Sequence, residues 1–474
     1  MSTTTAFRQR PLLATSMTPV QSRSMRPALF AAGLVGLAVL GGCAAPRDST
    51  KSPPVIKQAL DATHPQHAVC PTGLPETTRC LSGRDDAGAY WWIAVPTPWT
   101  GVLVMHAHGG PELGNPKPER SAEDLQRWSI MVKAGHAWAG STYRQGGVEV
   151  RAAAEDTERL RTLFSRHVAT PRRTVLHGQS WGASVAAIGA EMFPASYDGV
   201  FLTSGVLGGG TRSYDFRLDL RVVYQAVCGD HPRADEPQYP LWMGLPEGSS
   251  LTRAELARRV NACTGVQLPA AERSPKQAAA LDTLLRQAKL PERSLIGHMN
   301  WATWHFQDIA LKRTSGRNPF GNMGAVYTAA TDQAGLNQRV ARYAPDAQAV
   351  AKLAADTDPQ GRISMPVVSV RGVNDPIAFV ELDSVFRAQV ARQGRSHWLV
   401  QNYADYADHS YLSDAEYPAA MDALLNWIER GEKPTPQSIA GRCPASQAKF
   451  GGTCKFLPDY RAAELDERVT PRQR

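Results

Sequence analysis

Arg173-Thr174-Val175-Leu176-His177-Gly178-Gln179-Ser180-Trp181-Gly182-Ala183-Ser184-Val185-Ala186-Ala187 is the stretch whose reading decides the fold. Its opening residues are β-branched and apolar, the pattern of a short buried strand. Its closing residues are small, which suits a helix packed close to a sheet and stopped by Pro194. Between them lies G-x-S-x-G, a sharp strand-to-helix turn that holds a serine hydroxyl out at the top of a sheet. The glycines are a steric requirement, because the turn leaves no room for side chains beside Ser180. The bland alternative is an ordinary turn serine. The strand before the motif and the helix after it favour a nucleophile.

Working outward, the same rhythm continues on both sides. Tyr90 to Val95 and Gly101 to His106 read as strands, the second running into His108-Gly109-Gly110-Pro111. Ser121 to Lys133 reads as helix and Ala137 to Tyr143 as strand. Val150 to His167 has the apolar spacing of an amphipathic helix. Beyond the central stretch, Gly199 to Thr203, Val367 to Val370 and His397 to Val400 are further short strands. Tyr417 to Arg430 carries Leu424, Trp427 and Ile428 at helical spacing, with Gly431 beyond its end; Pro418 leaves its start open. Strands alternating with helices predict an α/β fold, a mostly parallel sheet with helices on both faces.

From 208 to 361 that rhythm stops. The segment has helical stretches such as Thr252 to Asn261 and Lys276 to Lys289, and it is rich in large apolar side chains: Trp242, Met243, Met299, Trp301, Trp304, Phe306, Phe320 and Met323. It reads as a helical cap insertion over a pocket, with most of these residues forming its own small core and a minority touching substrate.

A serine hydroxyl needs a base to take its proton, and the base needs an acid to orient it. After Ser180 the chain offers Asp375, in the loop beyond Val367 to Val370, and then His409, in the loop beyond the next strand. Asp405 and Asp408 are rival acids. Asp375 before Pro376 also suits a simple turn, and His409 a surface loop. His177 reads as a buried strand-end residue. His106 and His108 form an HxH pair, but no further ligands follow at once, so no metal and no cofactor is expected.

Ser180, Asp375 and His409, in that order and each beyond a strand, resemble the α/β-hydrolase superfamily. The likeness covers roughly residues 90–207 and 363–431. It implies an α/β-hydrolase core in two parts, 67–207 and 362–433, with the cap at 208–361 between them. It further implies that Ser180 attacks a carbonyl, that His409 acts as general base and then acid, and that Asp375 fixes the imidazole. The backbone N–H groups of Trp181 and Gly110 would form the oxyanion hole. Such a triad passes through an acyl-enzyme, which suits a serine carboxylic-ester hydrolase acting on a small-molecule or oligomeric ester. A peptidase or amidase of the same fold is the first alternative, and a ligand-binding protein without turnover the second. Serine at the elbow argues against a dehalogenase-type relative, and no G-x-x-x-x-G-K-[ST] phosphate loop occurs.

The two ends carry a different message. Residues 1–42 contain Arg8, Arg10, Arg23 and Arg26 and no acidic residue, and the apolar run from Ala28 ends in Leu40-Gly41-Gly42-Cys43. That run suits a signal peptide and is short for a membrane span. Its end resembles the bacterial lipobox, which implies export to the cell envelope, a lipid on Cys43 and a membrane partner through that anchor; a plain signal peptide with secretion is the alternative. Residues 43–66 read as a tether. Loss of the four arginines takes the net charge from +8 to +4, which gives little support to nucleic-acid binding. A hydrophobic content of 43% with 20% charged residues suits a substantial globular core. Besides Cys43 there are Cys70, Cys80, Cys228, Cys263, Cys443 and Cys454, an even set that suits disulfides in an oxidising compartment. Proximity favours 70–80, 228–263 and 443–454, the last pinning a C-terminal arm over 434–474.

Overall fold

The computed structural model describes residues 64–410, 412–470 and 472. The signal peptide, the lipidation of Cys43 and nearly all of the tether expected from the sequence fall outside the described residues.

Among the described residues, nine strands form one sheet: β1 (Gln66–Ala68), β2 (Arg79–Arg84), β3 (Tyr90–Val95), β4 (Val102–Ala107), β5 (Ala137–Ser141), β6 (Arg173–Gln179), β7 (Gly199–Thr203), β8 (Val367–Gly372) and β9 (Leu399–Ala404). Their order is β1-β2-β3-β5-β4-β6-β7-β8-β9. From β5 through β9 all neighbours are parallel, whereas β1, β2 and β3 form an antiparallel meander at one edge. A parallel run needs helical crossovers on its faces, and the chain supplies them. The main helices are α1 (Glu119–Arg127), α2 (Ser129–Lys133), α3 (Val150–His167), α4 (Trp181–Met192), α5 (Asp215–Cys228), α6 (Arg253–Thr264), α7 (Pro275–Ala288), α8 (Leu382–Arg392) and α9 (Glu416–Arg430). One face buries Leu160, Phe164, Ala186 and Phe386 from α3, α4 and α8 against Leu176 and Leu202 of the sheet. The other buries Leu125, Met131 and Leu424 from α1, α2 and α9 against Val104, Val175 and Val368. The strand order and the two helical layers are those of the α/β-hydrolase fold.

Three local differences from the sequence reading have physical causes. Strands β1 and β2 were not predicted: β2 reads Arg-Cys-Leu-Ser-Gly-Arg, half exposed and without a β-branched residue, and pairing with β3 holds it extended. Strand β9 starts at Leu399, after a 3₁₀ turn over Ser396–Trp398, and continues to Ala404. Its Gln401 and Asn402 disfavour strand locally, but Asn402 sits opposite Val370 in the ladder. The helix expected over 121–133 breaks at Trp128, whose buried ring packs edge-on to His177 at 4.4 Å and Tyr417 at 4.9 Å. Pro418 falls in the first turn of α9, where its missing N–H would have had no intrahelical partner.

Between β7 and β8 the chain leaves the sheet and builds α5, α6 and α7. Their buried side chains, among them Leu218, Val222, Leu256, Val260 and Leu284, pack with Met299, Phe306 and Phe320 into a second core. Disulfides join Cys70–Cys80, Cys228–Cys263 and Cys443–Cys454, with Cα separations of 5.3, 5.8 and 6.3 Å. The second ties the end of α5 to α6. After the third, the C-terminal segment runs beside β9, with Asp405 N–H donating to the Lys455 carbonyl at 2.9 Å and Leu457 N–H to Tyr403 at 2.8 Å. That cover protects an otherwise open sheet edge. The segment ends on the insertion, where Arg472 pairs with Asp219 at 2.6 Å.

Candidate active site

Ser180 stands between β6 and α4 with φ 57° and ψ −120°, a conformation costly for a residue with a side chain. The surrounding backbone holds it there: Ser180 N–H donates to the Thr203 carbonyl at 2.9 Å, and its own carbonyl accepts from Val206 at 3.0 Å. A Cβ on Gly182 would land on the carbonyl oxygens of Ala107 and His108, and one on Gly178 on the Gly182 carbonyl, so both positions require glycine.

The loops after β8 and β9 converge on that serine. Val373 N–H donates to the Ala404 carbonyl and Asn374 N–H to Tyr406, each at 3.0 Å, so the two loops are zipped together. His409 Nε2 lies 2.7 Å from Ser180 Oγ. Its Nδ1 lies 2.8 Å from Oδ2 and 3.0 Å from Oδ1 of Asp375. Asp375 is wholly buried, and its Oδ1 also accepts from the N–H groups of Ile377 at 2.8 Å and Ala378 at 3.0 Å. Asp405 is exposed, and the Asp408 side chain, 72% exposed, faces Arg293 at 3.9 Å. Only Asp375 of the three candidates therefore meets the imidazole.

Trp181 is the first residue of α4, and Gly110, at φ 75°, follows β4; both line the cavity that holds Ser180 and His409. A first-turn N–H has no intrahelical acceptor, and the positive end of the α4 dipole faces the same space. A Cβ on Gly109 would strike the Gln179 side chain, while Gln179 Nε2 donates to Ser410 Oγ at 2.5 Å, linking the elbow to the histidine loop.

His106 and His177 contact each other through their Nδ1 atoms at 3.0 Å, buried among Trp128, Trp138 and Phe201. Burial pushes His177 down to about 3 and holds His106 well below its ordinary value. His108 stacks on Tyr143 at 4.2 Å and is lowered to about 4 by burial. These three are neutral packing groups. Among the described residues, no three His, Cys, Asp or Glu side chains cluster as a metal site would need.

A scan against protein-family models finds no match, and neither does a search of curated proteins. Solved structures do match. An esterase from Aspergillus oryzae aligns at 11% identity with a TM-score of 0.40, covering 78% of this chain and 86% of its own. Feruloyl esterase B from Aspergillus oryzae aligns at 13% identity and a TM-score of 0.37, over 78% and 88% of the two chains. Tannin acyl hydrolase from Aspergillus niger gives 11%, 0.38, and coverage of 78% and 83%.

The cavity measures about 280 Å³. Besides the residues already named, its lining includes Arg127, Val206, Tyr214, Arg217, Trp301 and Ile377. Of the eight large apolar residues singled out in the insertion, only Trp301 lies here; Met299, Phe306 and Phe320 are core, and Met323 is 46% exposed. A larger cavity of about 590 Å³ lies wholly within the insertion, between His231 and Arg259 and away from Ser180.

Sequence reading missed the groups that hold the site's loops. From the insertion, His298 Nε2 contacts the Pro376 carbonyl at 2.8 Å, next to Asp375, and His305 Nε2 contacts the Pro111 carbonyl at 3.0 Å, next to Gly110. Burial lowers the two to about 3 and about 4, so each is a neutral ring donating one N–H. Arg371, at the end of β8, is buried against Asp383 at 2.5 Å and donates to the Gly205 and Ala378 carbonyls, bracing the loop of Asp375. The His-x₆-His spacing of 298 and 305 places both on one side of a helix, π-helical over Trp301–His305 and Asp308–Arg313, but nothing in the sequence says which loop they reach.

Proposed function

We propose that this protein is a serine hydrolase of carboxylic esters. The observation that carries the reading is the continuous contact from Ser180 Oγ through His409 to Asp375, set at a strained elbow that faces a cavity. In this reading His409 Nε2 takes the Ser180 proton as Oγ attacks the acyl carbon. The tetrahedral oxyanion is met by the N–H groups of Trp181 and Gly110. His409 then gives its proton to the leaving alcohol oxygen as the C–O bond breaks, leaving the acyl group on Oγ. A water molecule, deprotonated by the same nitrogen, attacks the acyl-enzyme; the released acid carries the new oxygen and Ser180 recovers its proton. Asp375 accepts from Nδ1–H throughout, which keeps Nε2 available as base and stabilises the imidazolium.

Export and a lipid on Cys43 belong to the same proposal and rest on the sequence of the first 43 residues, with the three disulfides as support for an oxidising compartment.

The test uses the purified protein with a fluorophosphonate probe, followed by a panel of nitrophenyl esters and peptide anilides. Labelling that is lost in Ser180→Ala, with turnover of the esters and not of the anilides, is the expected result. No labelling of the folded protein would overturn the reading, and turnover confined to the anilides would replace esterase by peptidase.

A further inference from the structure

Arg217 lies in the first turn of the insertion's first long helix, α5, and lines the same cavity as Ser180 and His409. It is 4% exposed. Such a guanidinium normally sits against a carboxylate, because removing a charge from water is costly unless it is paired. Three other buried guanidinium groups follow that rule: Arg371 meets Asp383 at 2.5 Å, Arg472 meets Asp219 at 2.6 Å, and Arg259 meets Glu255 at 2.9 Å. Arg217 does not.

Among the described residues, no Asp or Glu forms an ion pair with Arg217. Its Nη1 donates to the Ser213 carbonyl at 3.3 Å, and its buried Nε has no partner. What surrounds it is aromatic: the guanidinium carbon lies 4.3 Å from the Trp301 ring centre, 4.5 Å from Phe216 and 5.6 Å from Tyr214. Ring faces attract a cation but do not accept its N–H groups as a carboxylate does. Burial accordingly pulls the group down to about 9, against the opposing effect of Tyr214. Arg221, one turn further on, also lacks a carboxylate, but it is fully enclosed, donates to the His231 carbonyl at 3.0 Å and does not line the cavity.

Among the described residues, the lining of the cavity includes no acidic side chain. A buried guanidinium without a carboxylate, beside a serine-histidine pair, leaves this space electrostatically incomplete until an anion enters it. Neutral substrates would leave the buried cation as it is.

Resting on the serine-hydrolase reading of this cavity, we propose that Arg217 is the substrate's anion anchor and that the enzyme acts on esters which also carry a carboxylate. The carboxylate accepts from the free donors of Arg217, against the wall formed by Trp301 and Tyr214, while the ester carbonyl lies at Ser180. Charge-assisted hydrogen bonds to a buried guanidinium discriminate by about 10- to 100-fold between an ionised group and a neutral isostere.

The experiment measures binding, so that it does not depend on turnover. Monomethyl adipate and dimethyl adipate are titrated calorimetrically into full-length Ser180→Ala protein. The half ester is expected to bind about 10- to 100-fold more tightly than the diester. Adding Arg217→Gln should abolish that preference, and Arg217→Lys should restore part of it. Equal affinities in Ser180→Ala, or no measurable binding of either ester, overturn the proposal, and so does an Arg217→Gln variant that weakens both esters alike. Should Arg217→Gln fail to fold, the half-ester preference of Ser180→Ala and its reduction in Arg217→Lys decide. Fluorophosphonate labelling separates this proposal from the one it rests on. A labelled enzyme without half-ester preference loses only the anchor, whereas an unlabelled protein with the preference keeps the anion site and loses the esterase.

Discussion

Replacing Asp375 by asparagine changes one atom and reverses the polarity of the chain that leads to Ser180. Oδ1 of Asp375 accepts from Ile377 and Ala378 N–H, and Oδ2 lies 2.8 Å from His409 Nδ1. An asparagine at 375 has a single oxygen, and the two backbone donors claim it. Its NH₂ group then faces Nδ1, which must become the acceptor, so the ring proton moves to Nε2 and points at Ser180 Oγ. In that tautomer the histidine cannot take the serine proton. Flipping the amide instead would set NH₂ against two buried N–H groups, and leaving such donors unsatisfied costs about 1–3 kcal/mol each before their mutual repulsion. The corresponding change in a well-studied triad lowers kcat by about 10⁴, equivalent to roughly 5 kcal/mol. A loss of about 10³- to 10⁴-fold in kcat with KM little changed is expected for Asp375→Asn on 4-nitrophenyl butanoate, with circular dichroism showing an intact fold. Asp405→Asn and Asp408→Asn, whose side chains are exposed, should stay within about threefold of the parent. Asp375→Asn activity within tenfold of the parent, alongside a collapse in either other variant, would refute the reasoning.

Gly182→Ala drives a methyl group into the Ala107 and His108 carbonyls, and the resulting shift of β4 against α4 should lower the melting temperature by several degrees and abolish fluorophosphonate labelling. A variant that labels and melts like the parent would contradict the geometry of the elbow. His177, pushed down to about 3 by burial and the nearby Arg127, stays neutral in the folded chain while the unfolded chain protonates it near 6.5. Its neutral burial is therefore fully compatible with folding above about pH 6.5 and is penalised as pH falls from there toward 3. His177→Phe should consequently lose about 2–3 kcal/mol less stability than the parent between pH 7.5 and 4.5, read from urea unfolding at each pH; parallel pH profiles would refute this. Cys43→Ser should move the protein from the membrane fraction to the soluble fraction and remove the lipid mass from its N-terminal peptide; an unchanged distribution would exclude the anchor.

The alternation of β-branched runs with amphipathic stretches, the elbow from Arg173 to Ala187 and the sequential order of Ser180, Asp375 and His409 were all legible in the chain itself. The reason is physical: a buried parallel strand must be nearly continuous in apolar residues, and a tight elbow must carry glycine, so both requirements are written locally. Strand β2 and the far half of β9 were not legible, because their own residues favour strand weakly and it is the neighbouring strand that holds them extended. Among the three candidate aspartates, only the folding of the β8 loop onto the β9 loop brings Asp375, 34 residues away in sequence, to the imidazole and leaves Asp405 and Asp408 in solvent. Arg217 shows the same limit more sharply. The run Asp215-Phe216-Arg217-Leu218-Asp219-Leu220-Arg221 puts its acids on one side of a helix and its arginines on the opposite side, a sign that some charge must be buried. Which charge finds a partner, and which faces the cavity without one, depends on chain segments up to about 250 residues away, such as Arg472 beside Asp219. Burial and pairing are properties of the assembled surroundings, and only the tertiary structure decides them.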